Sequence, residues 1–374
     1  MVAIVTASVA ACGASPGPTT PTPPTVVVIS PSPTIAPPPT PIPATGWPSD
    51  TRPDQWRMTV DLDTFSRAGH GDNWPTTWAS DGDLYAVFAD GQGFSAGQPL
   101  SFGLTRIGGN SGMPGAWTGS DLPGPGDISV GWGCEGRKAS SLLDVEGTLY
   151  AAVRNAGGCE VGGSLLRRSL DGGTTWEWAE WNLPEFGYPA FLQAGPGYTA
   201  RRDDYVYVYS PASPSAYEAS DRLWLARAPV GRVFDASWEY FAGLSADGTP
   251  RWSLRAWKRR PVLELPGRIY RPSAVYNPGI GQVLLVTMVN RSVADVDGIT
   301  ILTGPSPWGP WQAAYENDAF SRLWDDDRDD GTFHAQFPPK WISPDGRELF
   351  LAFSCCPDTP GYAFNVVRVA LRER

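Results

Sequence analysis

Asp72 and Asp90 are the residues whose type and spacing point most directly to chemistry. They lie in the stretch HGDNWPTTWASDGDLYAVFADGQG (70–93). Its aromatic and β-branched residues flank a Ser80-Asp81-Gly82 turn, the mark of an antiparallel hairpin. With Gly82 in the left-handed bulge position of a three-residue loop, Ala79 pairs with Asp83, and the same register carried outward sets Asp72 opposite Asp90. Side chains so opposed have Cβ atoms about 4.5–5.5 Å apart. Two carboxylates that close repel, so one is expected to keep its proton while its partner stays ionised, as a general acid beside a base or nucleophile. The competing interpretation is a pair of loop carboxylates splayed into water or neutralised by arginines.

The elements that must position this pair recur along the chain. DGDLYAVFAD (81–90), EGTLYAAVRN (146–155), DDYVYVYSP (203–211), IGQVLLVTMV (280–289) and DGRELFLAFS (345–354) are turn-then-strand units. Each is preceded by another strand-like run and most are followed by two more. Four short strands in each of five units describe an all-β fold, a five-bladed β-propeller, with blades near 70–125, 130–183, 188–243, 262–315 and 333–374. MTVDLDTF (58–65) would complete the ring as an outer strand; a β-sandwich with hairpin decorations is the alternative. In a propeller the first strand of each blade lines the channel, and the end of the second returns to the face where the first began. Asp72 and Asp90 therefore meet at one mouth as the catalytic candidates. The same logic adds Lys138 with Arg154, Arg271, and His334 with Gln336 as substrate contacts. Trp74, Trp78, Trp132 and Tyr270 are candidates for stacking on a sugar face.

Composition narrows the partners. The 374 residues carry a net charge of −10, with 17 Trp, 42 Gly and 38 Pro. The cationic run RAWKRR (255–260) is short and isolated, which argues against nucleic acid; a neutral, hydroxyl-rich substrate fits better. Residues 1–12, MVAIVTASVAAC, are too short to span a bilayer and look like the end of a bacterial lipoprotein signal with Cys12 as the lipidated residue. Residues 13–45 are a Pro/Thr-rich disordered linker, leaving 46–374 as the propeller. The expectation is an extracellular or cell-surface lipoprotein of a bacterium, with a membrane lipid anchor through Cys12. Of the four remaining cysteines, Cys134 and Cys159 would close a loop within one repeat, while the adjacent Cys355 and Cys356 are open to several pairings.

Two histidines are too few for a His-rich metal site or a hydrolytic Ser-His-Asp triad. The acidic run LWDDDRDDG (323–331) lacks the spacing of a calcium loop, so neither metal nor cofactor is expected. SLDGGTTW (169–176) matches the Asp-box pattern of sialidase-type propellers, in which Asp and Ser tie a hairpin turn; it supports the fold and not sialidase activity.

GDNWPTTWASDGDLYAVFADGQGF, YRPSAVYNPGIGQVLLVT and QFPPKWISPDGRELFLAFS together resemble domain-of-unknown-function family 4185, whose characterised part is glycoside hydrolase family 183. The resemblance runs over roughly 54–371 in matching order. It implies a five-bladed endo-D-arabinanase acting on the D-arabinofuranose chains of arabinogalactan and lipoarabinomannan in mycobacterial-type envelopes, with the paired catalytic aspartates on Asp72 and Asp90. The rival expectation is a non-catalytic propeller that binds envelope glycans or a protein through the same mouth.

Overall fold

The computed structural model describes residues 46–47, 55–124, 133–158, 162–289, 298–323, 332–355 and 360–374. The segment 1–12 with Cys12, the stretch 13–45, Trp132, Cys159, the acidic run 324–331 and Cys356 lie outside the described residues.

Each blade is built around a second strand that reads as an almost unbroken apolar run, because both of its faces are covered. In Leu84–Gly93, Val87 packs toward the second blade and Phe88 toward the fifth. Blade one adds His70–Asp72 continued by Thr76–Trp78 on the inside, and Gly103–Gly108 and Thr118–Leu122 outside. Blade two comprises Lys138–Val145, Thr148–Arg154, Ser164–Ser169 and Glu177–Leu183. Blade three comprises Ala190–Gln193, Tyr205–Pro211, Ser220–Pro229 and Glu239–Leu244, and blade four Ser273–Asn277, Gln282–Val289, Gly298–Gly304 and Gln312–Asn317. A short parallel ladder, Leu192 with Ala274 and Gln193 with Val275, joins the inner strands of these two blades. Blade five comprises Phe333–Gln336, Glu348–Ser354 and Phe364–Glu373.

The ring closes where the sequence indicates. Trp56–Ala68 lies antiparallel to Phe364–Glu373, from Trp56 opposite Glu373 to Ala68 opposite Phe364, and supplies the fifth blade's outer strand. Apolar layers seal every consecutive pair of blades: one joins blades one and two, a larger one runs through two, three and four, a third joins four and five, and the last packs Trp74, Leu84 and Phe88 against Phe350, Phe364 and Val366 of blade five. The fold is a five-bladed β-propeller.

Blade three extends past the boundary expected at 243. Pro250–Ser253 adds to Glu239–Leu244, and Leu263–Ile269 pairs with the start of Ser220–Pro229, so a segment expected to open blade four belongs to blade three. The Asp box ties a hairpin as its pattern implies. Asp171 Oδ1 accepts from the Ser169 hydroxyl at 2.8 Å and the Thr175 amide at 2.8 Å, and those bonds hold its carboxyl down to about 2.

Trp56 is 3% exposed in the layer between blades four and five, at the start of the closing strand. Trp56→Ala is expected to cost about 3–5 kcal/mol, read as a lower midpoint in denaturant unfolding.

Candidate active site

The turn of the first hairpin forms as its residues dictate. The Ala79 amide donates to the Asp83 carbonyl at 2.8 Å, Gly82 has φ +89°, and Thr76, Thr77 and Trp78 face Ala86, Tyr85 and Leu84 in the expected register. Beyond Pro75 the register slips. Asp72 faces Ala89 rather than Asp90, and His70 faces Gly93. The direct opposition of the two aspartates is therefore corrected: Asp90, with φ +49°, is one of three residues, 90–92, set opposite Gly71 in a bulge. The cause is a backbone crossing, since a Cβ on Gly91 would lie 2.1 Å from the His70 carbonyl oxygen. A bulge re-aims the side chain it carries.

The device recurs. The register shifts after the Lys138–Arg154 and Ala139–Val153 pairs, and again between the Phe333–Ser354 and Ala335–Phe353 pairs on either side of His334. Of the seven non-glycine residues with positive φ among the described residues, five stand at this mouth: Asn73, Asp90, Asn155, Arg271 and His334. Asn, Asp and His tolerate that conformation, but Arg271 at φ +42° carries strain of about 1–3 kcal/mol, which the surrounding structure must offset.

The side chains converge as a buried, mixed-charge cluster. Lys138, fully buried, donates from Nζ to Asp90 Oδ1, and the Gly133 amide donates to Asp90 Oδ2 at 3.1 Å. Asp72 is 7% exposed and accepts from Asn73 Nδ2 at 2.7 Å. Asn73 is the hub: its Oδ1 accepts from the Tyr188 hydroxyl and from Arg271 Nη1, each at 3.1 Å. The Tyr188 hydroxyl also meets His334 Nδ1 at 3.1 Å. Arg154 stacks on Tyr188 and Tyr217, with its guanidinium carbon 5.6 and 5.4 Å from the ring centres. Arg271 stacks on the same rings and on Tyr270.

The two carboxylates occupy contrasting surroundings. Burial pushes the Asp72 carboxyl up from its ordinary value, opposed by Arg271 and Arg154 and reinforced by the charge on Asp90. Asp90 is instead held by an ammonium and a backbone amide. Burial pushes the Lys138 ammonium down, and Asp90 opposes that shift. Burial also holds the His334 imidazole far below the usual range, at about 3, with Arg271 and Arg154 adding to the effect and a bond from Gln336 opposing it. One carboxyl biased toward its protonated form beside another paired with a cation is an acid–base constellation. An open hollow of about 200 Å³, lined by Asn155, Pro214, Tyr217 and Glu218 among others, adjoins it between blades two and three. Asn155 connects the two, donating to Tyr217 Oη at 3.1 Å and to the carbonyl of Gly133 at 3.3 Å.

Two expected substrate contacts are corrected. Trp74 is 1% exposed, clasped by Phe88, Phe94 and Phe364 with its indole N–H on the Gly71 carbonyl at 2.9 Å, so no ring face is left for a sugar. Gln336 is consumed as a tie between the inner strands of blades five and one: its Oε1 accepts from the Thr76 amide at 3.0 Å and its Nε2 donates to the Trp74 carbonyl. Trp78 lies on the opposite mouth, in a hollow with Pro196, Tyr276 and Pro344. Sequence reasoning missed Asn73, Tyr188, Tyr217 and Tyr362, the last of which faces both aspartates and has its phenol pushed up by burial and their charges. Tyr188 immediately precedes an inner strand, Ala190–Gln193, a placement that the logic used for Lys138 and His334 would have flagged. Among the described residues no cluster of three or more His, Cys, Asp or Glu could hold a metal ion. Cys134 and Cys355 are each disulfide-bonded.

A propeller with buried carboxylates at one channel mouth is the class of protein that these features define. No protein-family model matches the sequence, and no curated protein does. Among solved structures the chain is similar to a protein described as a "putative hydrolase" from Bacteroides ovatus, with a TM-score of 0.56 and 13% identity over 84% of this chain and 90% of that one. It also aligns with a xylan β-1,4-xylosidase from Bacillus halodurans (TM-score 0.48, 11% identity, 82% of this chain and 53% of that one). A third is the catalytic domain of an α-L-arabinofuranosidase from Coprinopsis cinerea (TM-score 0.45, 11% identity, 86% and 97%). At such identities the likeness is one of fold.

Lys138→Ala would leave Asp90 buried without its cation, and the expected cost is about 3–5 kcal/mol in denaturant unfolding. For His334 the folded value of about 3 lies below the free imidazole's. The unfolded chain then takes up the proton first, so the stability this group contributes is complete above about pH 6.5 and is lost progressively as pH falls toward its folded value. The His334 ring resonance should accordingly keep its neutral position in NMR spectra down to about pH 4.

Proposed function

We propose that the protein is a glycoside hydrolase that cleaves D-arabinofuranosyl linkages, an endo-D-arabinanase acting on arabinogalactan and lipoarabinomannan, with Asp72 as general acid and Asp90 as base or nucleophile. The observation that carries this reading is the contrast between the two buried carboxylates at one mouth. Glycoside hydrolysis needs one carboxylic acid to protonate the leaving oxygen and one carboxylate to attack the anomeric carbon or to take a proton from water. Burial biases Asp72 toward its protonated form for the first task. The Lys138 and Gly133 contacts keep Asp90 oriented for the second.

The fold and the motif resemblance to glycoside hydrolase family 183 support the same class, and the resemblance alone supports D-arabinan over other furanosides. Tyr217, which lines the hollow beside Asn155, is the polar group offered to sugar hydroxyls as substrate enters there, with Arg154 and Arg271 stacked on its ring. The disulfide bonds at Cys134 and Cys355 fit an oxidising compartment, consistent with a cell-surface lipoprotein tethered through Cys12.

Incubation of the protein with purified arabinogalactan should release a ladder of arabino-oligosaccharides. Asp72→Asn and Asp90→Asn should each lower kcat by about 10²–10⁴-fold while the chain stays folded. Because the Asp72 acid must be protonated, activity should fall as pH rises through its elevated value, and Asp72→Asn should abolish that limb of the profile. Folded variants with undiminished activity would sink the proposal, and binding of D-arabinan without any product would identify a glycan-binding propeller instead.

A further inference from the structure

The outer edge of blade three carries a surface that the channel chemistry does not use. After the outer hairpin of Glu239–Leu244 and Pro250–Ser253, the chain turns through Ala256–Lys258 and rejoins the blade where the Arg260 amide donates to the Phe241 carbonyl at 2.8 Å. Five large apolar side chains are exposed among the described residues, and three of them sit here: Leu244, Leu254 at 69% and Trp257 at 73%. Between 248 and 263 the sequence holds Arg251, Arg255, Lys258, Arg259 and Arg260 and no acidic residue, in a chain whose net charge is −10.

These cations are not consumed by the fold. Arg259 is the exception, paired with Glu185 and stacked on Trp224. Among the described residues Arg251, Arg255 and Lys258 have no acidic partner, and Arg255 lies 5.4 Å from the centre of the Trp257 ring. The flanking acids in sequence are occupied elsewhere: Asp247 accepts from the Ser245 hydroxyl at 2.7 Å and the Thr249 amide at 3.1 Å, and Glu264 pairs with Arg222 at 3.2 Å. Behind the tip is an open pocket of about 580 Å³ lined by Arg251, Trp252, Trp257, Lys258 and Arg260 among others.

An exposed Trp and Leu at the tip of a loop, ringed by unpaired cations, is the pattern of a peripheral lipid contact. The ring and the aliphatic chain enter the interface while the cations meet phosphates. A soluble monomer gains nothing by exposing Trp257 and Leu254 together, and on an acidic protein a local cationic surface selects an anionic plane. We infer that the segment 251–260 docks the propeller edge-on against an anionic phospholipid surface, with Trp257 and Leu254 at the acyl boundary and Arg251, Arg255, Lys258 and Arg260 on the headgroup phosphates. This docking does not depend on what the channel mouth cleaves.

The test is flotation of the full chain, produced without a lipid on Cys12, with vesicles of phosphatidylcholine alone and of phosphatidylcholine mixed with phosphatidylglycerol. The chain should float with the anionic vesicles and weaken as salt rises. Trp257→Ala should reduce partition about tenfold through lost apolar burial, and each of Arg255→Glu and Lys258→Glu by at least about fivefold. Hydrolysis of soluble arabinan should be unchanged in all three, which separates failure of the docking idea from failure of the catalytic one. Equal binding to both vesicle types, insensitivity to the three substitutions, or retention by an anionic polysaccharide with no vesicle binding would overturn the assignment.

Discussion

The structure depends on balancing charge where water is scarce. Asp72, Asp90, Lys138, Arg154 and Arg271 are all at least nine-tenths buried at one end of the channel. An isolated charge taken out of water costs several kcal/mol, so each charge of the set is stabilised by the others. Blades one, two and four each contribute part of the set, and ring closure is what brings the parts within reach. Among the described residues, direct ion pairing within this set joins Asp90 and Lys138 alone. The rest is handled by delocalised means, with both guanidinium groups lying on tyrosine faces and Asn73 spreading its hydrogen bonds over Asp72, Arg271 and Tyr188. Asp72 is thus stabilised without being pinned by a cation, which leaves it free to gain and lose a proton.

The parts of this arrangement legible in the sequence are those set by short-range rules. Strands buried on both faces must be apolar throughout, turns that need positive φ must carry glycine at a fixed offset, and DGDLYAVFAD, EGTLYAAVRN and DGRELFLAFS obey both requirements in plain view. From these the ring, its closing strand and the position of Asp72, Asp90, Lys138, Arg154, Arg271 and His334 at one mouth followed. What was hidden depends on backbone meeting backbone. The slip that turns Asp90 out of register arises because Gly71 and Gly91 approach too closely for side chains, and neither glycine announces that contact. Trp74 and Gln336 were misjudged for a related reason. Their neighbours Phe364 and Thr76 come from the other side of the first-to-fifth blade seam, and residue type alone does not distinguish a side chain aimed into a seam from one aimed into the channel.

Strain and function coincide at the mouth. A run of left-handed residues on consecutive blades would be a poor choice for a scaffold whose only task was stability, since regular ladders would serve better there. Asp90 and His334 lie within strands whose register shifts around them, and Asn73, Asn155 and Arg271 stand beside strand ends, so the rim of the channel is built from interruptions of the sheets. At the opposite mouth, the hollow where Trp78 sits among prolines has no ionic group among the described residues that line it.

The closing seam has a consequence for how the molecule comes into being. Trp56–Ala68 precedes the other strands of the propeller in sequence and has no partner until Phe364–Glu373 is complete. Through nearly the whole of synthesis it is an unpaired strand of 13 residues, the kind of edge that recruits strangers. Its composition suits that wait. Arg57, Asp61, Asp63 and Arg67 punctuate the apolar positions with charge, so the unpaired strand resists self-association until Phe364–Glu373 joins it and completes the fifth blade.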